Sequence, residues 1–498
     1  MPTQTDKYLI GLDLGTSSVK AVMIDKNGQT LNEADEEYAI SSPKPGWAEQ
    51  DPEGWLKASV HVVSSLMKKS GVDRQKIAAL GLSGQMHGLV VIDRDGVVLR
   101  PAIIWADRRS APQAQRIKER LGLKKLGDWT GNPVATGFML PSWLWMMENE
   151  TGLVKSACHL LLPKDYLRFR LCGSIGAEAS DASSTSLFNP EKMAWSQPLL
   201  KEFGIPETIL PPIYRSLDIA GGLLPEIADV CGLSSGTPVV YGGSDVSLQA
   251  LAQGIIDPGN ISCTIGTGGQ LFAPLKKAIH DPELRLHLFC HVIPERWHFE
   301  TAILSAGLSL RWLRDHLWQG QTYNDLADRA QKVEAAFQGL YFLPYLVGER
   351  TPVMDPKARA AFIGLTWEHD QSHIVRAVME GVVFALRQGL DIIRSMQVPV
   401  ERIIATGASI RHPLWVQLQA DIFNQAVYPS ETQQASGYGA AFLAGLGLGM
   451  FTQSDVQALY AKNLTYQPCQ PNPQRAESYQ KAYDTYCRIY PAVKTINQ

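Results

Sequence analysis

The chain has 498 residues, with 46 basic against 49 acidic side chains, a net charge of −3, 45% hydrophobic and 19% charged content. That balance leaves no basic footprint for nucleic acid, no apolar run is long enough to span a bilayer, and the length predicts about two or three conventionally packed domains. The seven cysteines are scattered without a Cys-x-x-Cys pair. This argues against a zinc or redox motif and for reduced thiols in a cytoplasmic protein. The N-terminus shows no signal pattern.

Residues 8–25 predict a β-hairpin. Apolar residues run up to Asp13-Leu14-Gly15-Thr16-Ser17-Ser18 and resume at Val19, and Asn27-Gly28 supplies the next tight turn, from which Thr30–Glu33 continues the meander. Asp51 is placed to cap a helix with Pro52 at its first position, and Val62, Val63, Leu66 and Met67 recur at helical spacing. A buried strand over Ile77–Leu82 runs into Ser83-Gly84-Gln85-Met86-His87-Gly88, and further strands are expected over Leu89–Ile92 and Pro101–Trp105. Helical stretches alternate with Gly/Pro turns over residues 110–235. Pro238–Tyr241 is then a strand ending in Gly242-Gly243-Ser244-Asp245, with a helix over Val246–Gln253.

The second half repeats this pattern. Asn260–Ile265 leads into Gly266-Thr267-Gly268-Gly269, and Arg402–Ser409 matches Lys76–Gly84 as a basic residue, a short apolar strand and a Gly/Ser turn. Two glycine-threonine loops, each flanked by β-type sequence, point to a duplicated anion-binding architecture, because glycine lets backbone amides approach an anion and hydroxyls add donors. The expected organisation is residues 1–256, 257–450 and a helical tail at 451–498. The apolar, glycine-rich stretch Ala440–Met450 reads as a buried helix.

Taken in order, these segments resemble the FGGY family of carbohydrate kinases, within the actin/Hsp70/hexokinase superfamily. The motifs that carry the resemblance are Asp13–Thr16, Ser83–Gly88, Leu162-Pro163-Lys164-Asp165-Tyr166-Leu167, Gly243–Asp245, Ile265–Gly268 and Phe342–Pro352, the last containing Gly348-Glu349-Arg350-Thr351-Pro352. The resemblance implies an α/β fold of two duplicated actin-like (ribonuclease H-like) ATPase domains around an interdomain cleft. It also implies ATP and Mg2+ as cofactors, a small sugar as substrate, and a homodimer. D-xylulose, phosphorylated on O5, is the preferred acceptor, with gluconate, ribulose or a polyol as the alternative. A non-kinase ATPase of the same superfamily is the competing class.

Phosphoryl transfer needs held phosphates, a metal ion and a base for the attacking hydroxyl. Asp245, at a strand-to-helix turn, matches the family's catalytic aspartate. By local sequence it could equally cap the helix. Asp13 is suited to holding magnesium through water or to closing its own turn. Thr16, Ser17, Gly266, Thr267 and Gly268 are expected phosphate-loop donors. Gly407, Ala408 and Ser409 match the family's nucleotide turn, and Gly307 is either a further nucleotide contact or a packing glycine. Met86 and His87 match the sugar-contacting pair, an adaptable apolar wall and a ring with one donor and one acceptor. Asp107, Arg108 and Arg109 read as structural, and Trp143 and Trp145 as core. Three positions depart from the pattern: Val246 stands where the ketopentose-type members have Asn, Ser244 where Gly is common, and Ser142 where a Lys is expected.

Overall fold

A computed structural model describes residues 7–333, 338–431, 435–463 and 467–496. The N-terminal residues read above for a signal pattern lie mostly outside this set.

The first sheet contains β1 (Tyr8–Leu14), β2 (Ser18–Asp25), β3 (Thr30–Glu37), β4 (Ile77–Gly84), β5 (Ile219–Gly222) and β6 (Pro238–Val240), in the order β5-β6-β4-β1-β2-β3. The second contains β7 (Gly259–Ile265), β8 (Gly269–Leu275), β9 (His287–Cys290), β10 (Trp297–Glu300), β11 (Val400–Gly407) and β12 (Val427–Pro429), in the order β9-β10-β8-β7-β11-β12. In each sheet the first strand pairs antiparallel with the next one and parallel with a strand from far along the chain: β1 with β2 and β4, β7 with β8 and β11. The sequence match between Lys76–Gly84 and Arg402–Ser409 is therefore an equivalence of position in two copies of one topology. Both glycine-threonine loops join the first two strands of their sheet.

Local chemistry sets these elements. Gly15 donates to Ser18 O at 3.0 Å to close the first hairpin. At the next turn Asp25 Oδ1 accepts the Asn27 and Gln29 amides at 2.8 Å, and Gly28 supplies the left-handed residue at φ 73°. Helix α1 (Pro52–Ser70) starts with the Asp51 carboxylate accepting the Glu53 amide and stops at Gly71, with Trp55, Val62, Val63 and Leu66 buried. The expected strand over Pro101–Trp105 shortens to Ala102–Ile103, because Trp105 leaves the strand line and donates Nε1–H to Thr16 Oγ1 at 2.9 Å. Asp107 and Arg109, read above as structural, brace each other. Arg109 pairs with Asp107 and Glu49 at 2.7 Å each and stacks 3.6 Å over the Trp47 ring. Trp143 is buried in a core cluster with Ile117, Met146 and Leu160, while Trp145 packs against that cluster half-buried.

The halves are bound together by helices that return across the chain. Helix α2 (Asp245–Ala252) follows the first sheet. Helix α3 (Gly307–His316) starts at the second glycine loop, while α4 (Gln371–Ser395) and α5 (Pro413–Phe423) cover the second sheet's side of the molecule. Helix α6 (Ala435–Gly447), the predicted buried helix, lies on β1, β4 and α2 of the first sheet although it follows the second in sequence. It approaches through bare backbone. A methyl added to Gly11 would sit 1.8 Å from Gly437 O, one on Gly81 1.8 Å from Ala440 O, and one on Gly439 2.0 Å from Leu248 O. Helix α7 (Pro473–Val493), in the expected tail, packs Tyr479, Tyr483 and Tyr486 around Phe384 of α4.

Gly81→Ala is therefore expected to cost about 1–3 kcal/mol or more by overpacking, read as a lower denaturant midpoint. Gly152→Ala, where nothing lies within 4 Å of the added methyl, is the control and should not lower it.

Candidate active site

The ends of β1, β4 and the Gly243–Ser244 segment lie side by side: Asp13 is opposite Ser83, and Ser83 is opposite Gly243. This register sets Asp13 and Asp245 on either side of the end of β4. The Ser83 hydroxyl donates to Asp13 Oδ1 at 2.7 Å. Asp245 is the first residue of α2, after Ser244 as the cap position, and its Oδ1 accepts the amide of Val246 at 2.8 Å. Burial, and then the negative charge of Asp13, push the Asp245 carboxyl up to about 7. Burial also raises Asp13, against the pull of the Ser83 hydrogen bond and Lys20. The preceding glycines make the tight seat. A Cβ on Gly242, at φ 86°, would lie 2.3 Å from Leu82 O, and one on Gly243 2.2 Å from Val292 in the other half.

Behind this seat is a buried charge network that the sequence reading did not assign. The Ser244 amide donates to Ser180 Oγ at 3.0 Å, and that hydroxyl donates to Glu178 Oε1 at 2.9 Å. Lys164, fully buried, holds Asp165 at 2.7 Å and lies 3.6 Å from both Glu178 and Asp181. Both Asp181 carboxylate oxygens lack a hydrogen-bond partner, and burial holds this carboxyl well above the usual carboxylate range. The available signal was the Lys164-Asp165 pair set among apolar residues, since such charges are buried only when paired.

On the other side of the β4 end, the Gly84–Gly88 turn places Met86 and His87 in buried positions, with His87 at φ 73°. His87 Nδ1 lies 2.8 Å from Ser184 O. A carbonyl can only accept, so Nδ1 carries the proton and Nε2 is left as an acceptor. The ring stacks on Phe138 at 3.9 Å, with 7° between the planes. Burial, then the nearby Arg350 charge, lower its pKa to about 3, so the imidazole is neutral at ordinary pH.

The second glycine loop borders a cavity of about 450 Å³ lined by Gly266, Thr267, Gly307, Ala408 and Ser409, together with Tyr323 and Trp415. The Gly307 and Leu308 amides at the start of α3 donate to Gly266 O and Thr267 O at 2.9 and 3.0 Å, which ties a helix N-terminus to the loop. Gly307 lines the cavity, and its Cβ would lie 2.3 Å from Gly266 O, which is the packing expected of it. Gly268 and Gly407 act through the backbone and do not line the cavity. A Cβ on Gly268 would meet Ile303 O at 2.8 Å, and Gly407 turns the chain at φ 83°. Thr16 and Ser17 sit on the separate loop of the first sheet. The Thr16 hydroxyl already accepts from Trp105, and Ser17 is exposed. Asp13, Asp245, Met86 and His87 lie outside the cavity lining. Among the described residues no group of three or more His, Cys, Asp or Glu side chains is arranged to hold a metal.

Comparison with known proteins agrees with this architecture. Residues 8–252 match the N-terminal domain of the FGGY family of carbohydrate kinases, and residues 261–448 match its C-terminal domain. The chain is 36% identical to a xylulose kinase of Bacillus subtilis (strain 168), covering 99% of this chain and 98% of that one. It is 32% identical to a gluconokinase of the same strain, over 90% and 89% of the two chains. A ligand-bound xylulose kinase from Lactobacillus acidophilus superposes with a TM-score of 0.93 at 30% identity, covering 98% of each chain. Two topologically repeated sheets, a carboxylate pair at the strand ends and a full-length match in sequence place this chain in the FGGY family of carbohydrate kinases.

Proposed function

We propose that this kinase transfers the terminal phosphoryl group of ATP to O5 of D-xylulose, with Asp245 as the base that accepts the hydroxyl proton. The observation that carries this reading is the Asp245 carboxyl itself. It begins a helix at the strand ends, accepts the Val246 amide, and is held near neutrality by burial and Asp13. A base with a pKa near the working pH combines availability with proton affinity. The family match sets aside the non-kinase ATPase alternative.

In this reading the cavity beside Gly266–Thr267 and Ala408–Ser409 takes the nucleotide, and its phosphates run past the loop and the N-terminus of α3 toward Asp245. Thr16, Ser17 and Gly268 border the phosphate path from the two loops, and Gly407 shapes the turn beneath the base. Met86 and His87 hold the sugar, with His87 Nε2 accepting from a hydroxyl. Two isolated carboxylates suit a magnesium ion bound mainly through phosphate oxygens and water, with Asp13 as the protein's contribution. Such an ion would offset the charge that develops on the transferred group. Domain limits of 1–256, 257–450 and 451–498, a homodimer and a cytoplasmic setting complete the proposal. No helix among the described residues is long and apolar enough to cross a membrane.

Gluconate is kept as a second acceptor for a specific reason. Val246 packs against the apolar cluster of Ala250, Ile255 and Phe272, so the position after the base offers no hydrogen bond to a ketopentose. The similarity to the gluconokinase points the same way.

An ATP-consumption assay over ketoses, aldonates and polyols should show the highest kcat/KM with D-xylulose. A preference for gluconate would replace the substrate, and no stimulation by any sugar would reject the reading. Asp245→Asn should lower kcat by about 10²–10⁴-fold. For the parent, kcat/KM should fall about tenfold per pH unit below about 7, because the base must be ionised. Stability should move in the opposite sense. Native Asp245 keeps its proton up to about 7 while the unfolded chain loses it near 3.8, so stability is lost as pH rises through that window. Asp245→Asn should consequently melt no lower than the parent at pH 8. His87→Ala should raise the KM for the sugar far more than the KM for ATP, and equal increases would reject its role.

A further inference from the structure

The outer strands of the second sheet carry polar groups that the protein does not match. His287 of β9 lies opposite Glu300 of β10, so the two side chains share one face of the sheet. Both ring nitrogens of His287 and Oε2 of Glu300 are buried without a hydrogen-bond partner. Arg350 approaches from a different segment of the same half. Its backbone amide donates to Glu349 at 2.8 Å, while its guanidinium forms no hydrogen bond or ion pair with a described residue and stands 5.5 Å over the Phe138 ring. The other face-to-face neighbour of Phe138 is His87, and the His287 ring lies 5.8 Å from Phe138. Two side chains of the C-terminal half with buried polar atoms lacking a hydrogen bond, His287 and Glu300, the latter with Oε2 3.9 Å from His298 Nε2, therefore meet the His87 turn of the N-terminal half together with the Arg350 guanidinium, which Glu300 and Glu349 attract.

A buried polar group without a partner costs about 1–3 kcal/mol. Folded proteins keep few such groups, and each needs an explanation. The chemistry here is specific. An imidazole, a carboxyl and a guanidinium together both donate and accept, which suits a chain of hydroxyls better than an anion or an apolar group. The position is also right, since burial and then the Asp245 charge, against the pull of Arg350, lift the Glu300 carboxyl to about 8. A neutral carboxyl at ordinary pH can donate as well as accept. Val246, packed into its apolar cluster, leaves a hydroxyl of the acceptor unclaimed on the N-terminal side.

We propose that Glu300, His287 and Arg350 form the C-terminal wall of the acceptor pocket and hydrogen-bond the hydroxyls of the bound sugar, facing His87. The proposal rests on the acceptor lying between Asp245 and His87. Closure of the two halves then builds the sugar site, because neither half holds all of its polar groups.

Calorimetric titration of the full-length protein with D-xylulose and with D-gluconate, without nucleotide, reads binding alone. Glu300→Leu should weaken the better-bound sugar by about tenfold, equivalent to about 1.4 kcal/mol. Glu300→Gln, which keeps a donor and an acceptor, should recover most of that loss. His287→Phe, which keeps a ring between Phe138 and Phe289, should weaken binding similarly and supplies the test if Glu300→Leu does not fold. Unchanged sugar affinity in the folded variants overturns the wall, as does a parent protein that binds neither sugar. Failure of Asp245 as base is separable, because Asp245→Asn would then retain turnover while the binding result for the wall stands on its own.

Discussion

Asp13 and Asp245 are two like charges held together in one half-buried place, with Lys20 acting on Asp13, and much of the surrounding structure serves that arrangement. Burial is the largest influence on both carboxyls. A lysine in contact with Asp245 would relieve the cost, and would also lower the affinity of the base for a proton. Lys164, fully buried, is instead engaged by Asp165, Glu178 and Asp181, and it meets the turn before Asp245 through the Tyr241 carbonyl and, by way of Glu178 and Ser180, the Ser244 backbone. The glycines at 242 and 243 serve the same end by bringing the turn against Leu82 and Val292 and leaving little room around it. The destabilisation stored in the pair is the counterpart of its reactivity.

The two halves make unlike contributions from like topology. In the first, the hairpin loop is occupied internally: Thr16 accepts from Trp105 through its side chain and from Gln50 through its carbonyl. In the second, the loop opens onto a cavity and meets a helix N-terminus. Duplication supplied two anion-capable hairpins, and their surroundings made one the rim of a cavity and the other a rim of the carboxylate site.

The elements easiest to read in the sequence were those whose signals are local. The apolar runs with their glycine turns gave both hairpins, Asp51 and Pro52 announced α1, and the Gly-Gly-Ser-Asp turn announced the seat of Asp245. Motif order across the chain carried the family resemblance, which the full-length matches bear out. What stayed hidden depended on distant partners. Nothing in Ala435–Gly447 says that this helix leaves its own half, because an apolar glycine-rich helix fits any smooth sheet. His287 and Glu300 are thirteen residues apart in sequence and read as ordinary strand residues until the pairing of β9 with β10 brings them together. Trp105 was expected to continue a strand and instead reaches back to residue 16. In each case a tertiary contact decided the outcome after local propensity had been satisfied.

The crossing of α6 also bears on how the chain is made. Leu9, Val22, Ile24 and Ala79 of the first sheet share a core with Ala440, Ala441, Phe442 and Leu443. During synthesis that sheet is complete as strands long before its covering helix exists, and most of the C-terminal half must be translated in between. A nascent chain therefore carries an uncovered apolar face through much of its time on the ribosome, the kind of surface that chaperones engage. The order of the halves in the gene makes the N-terminal half the first to be built and among the last to be finished.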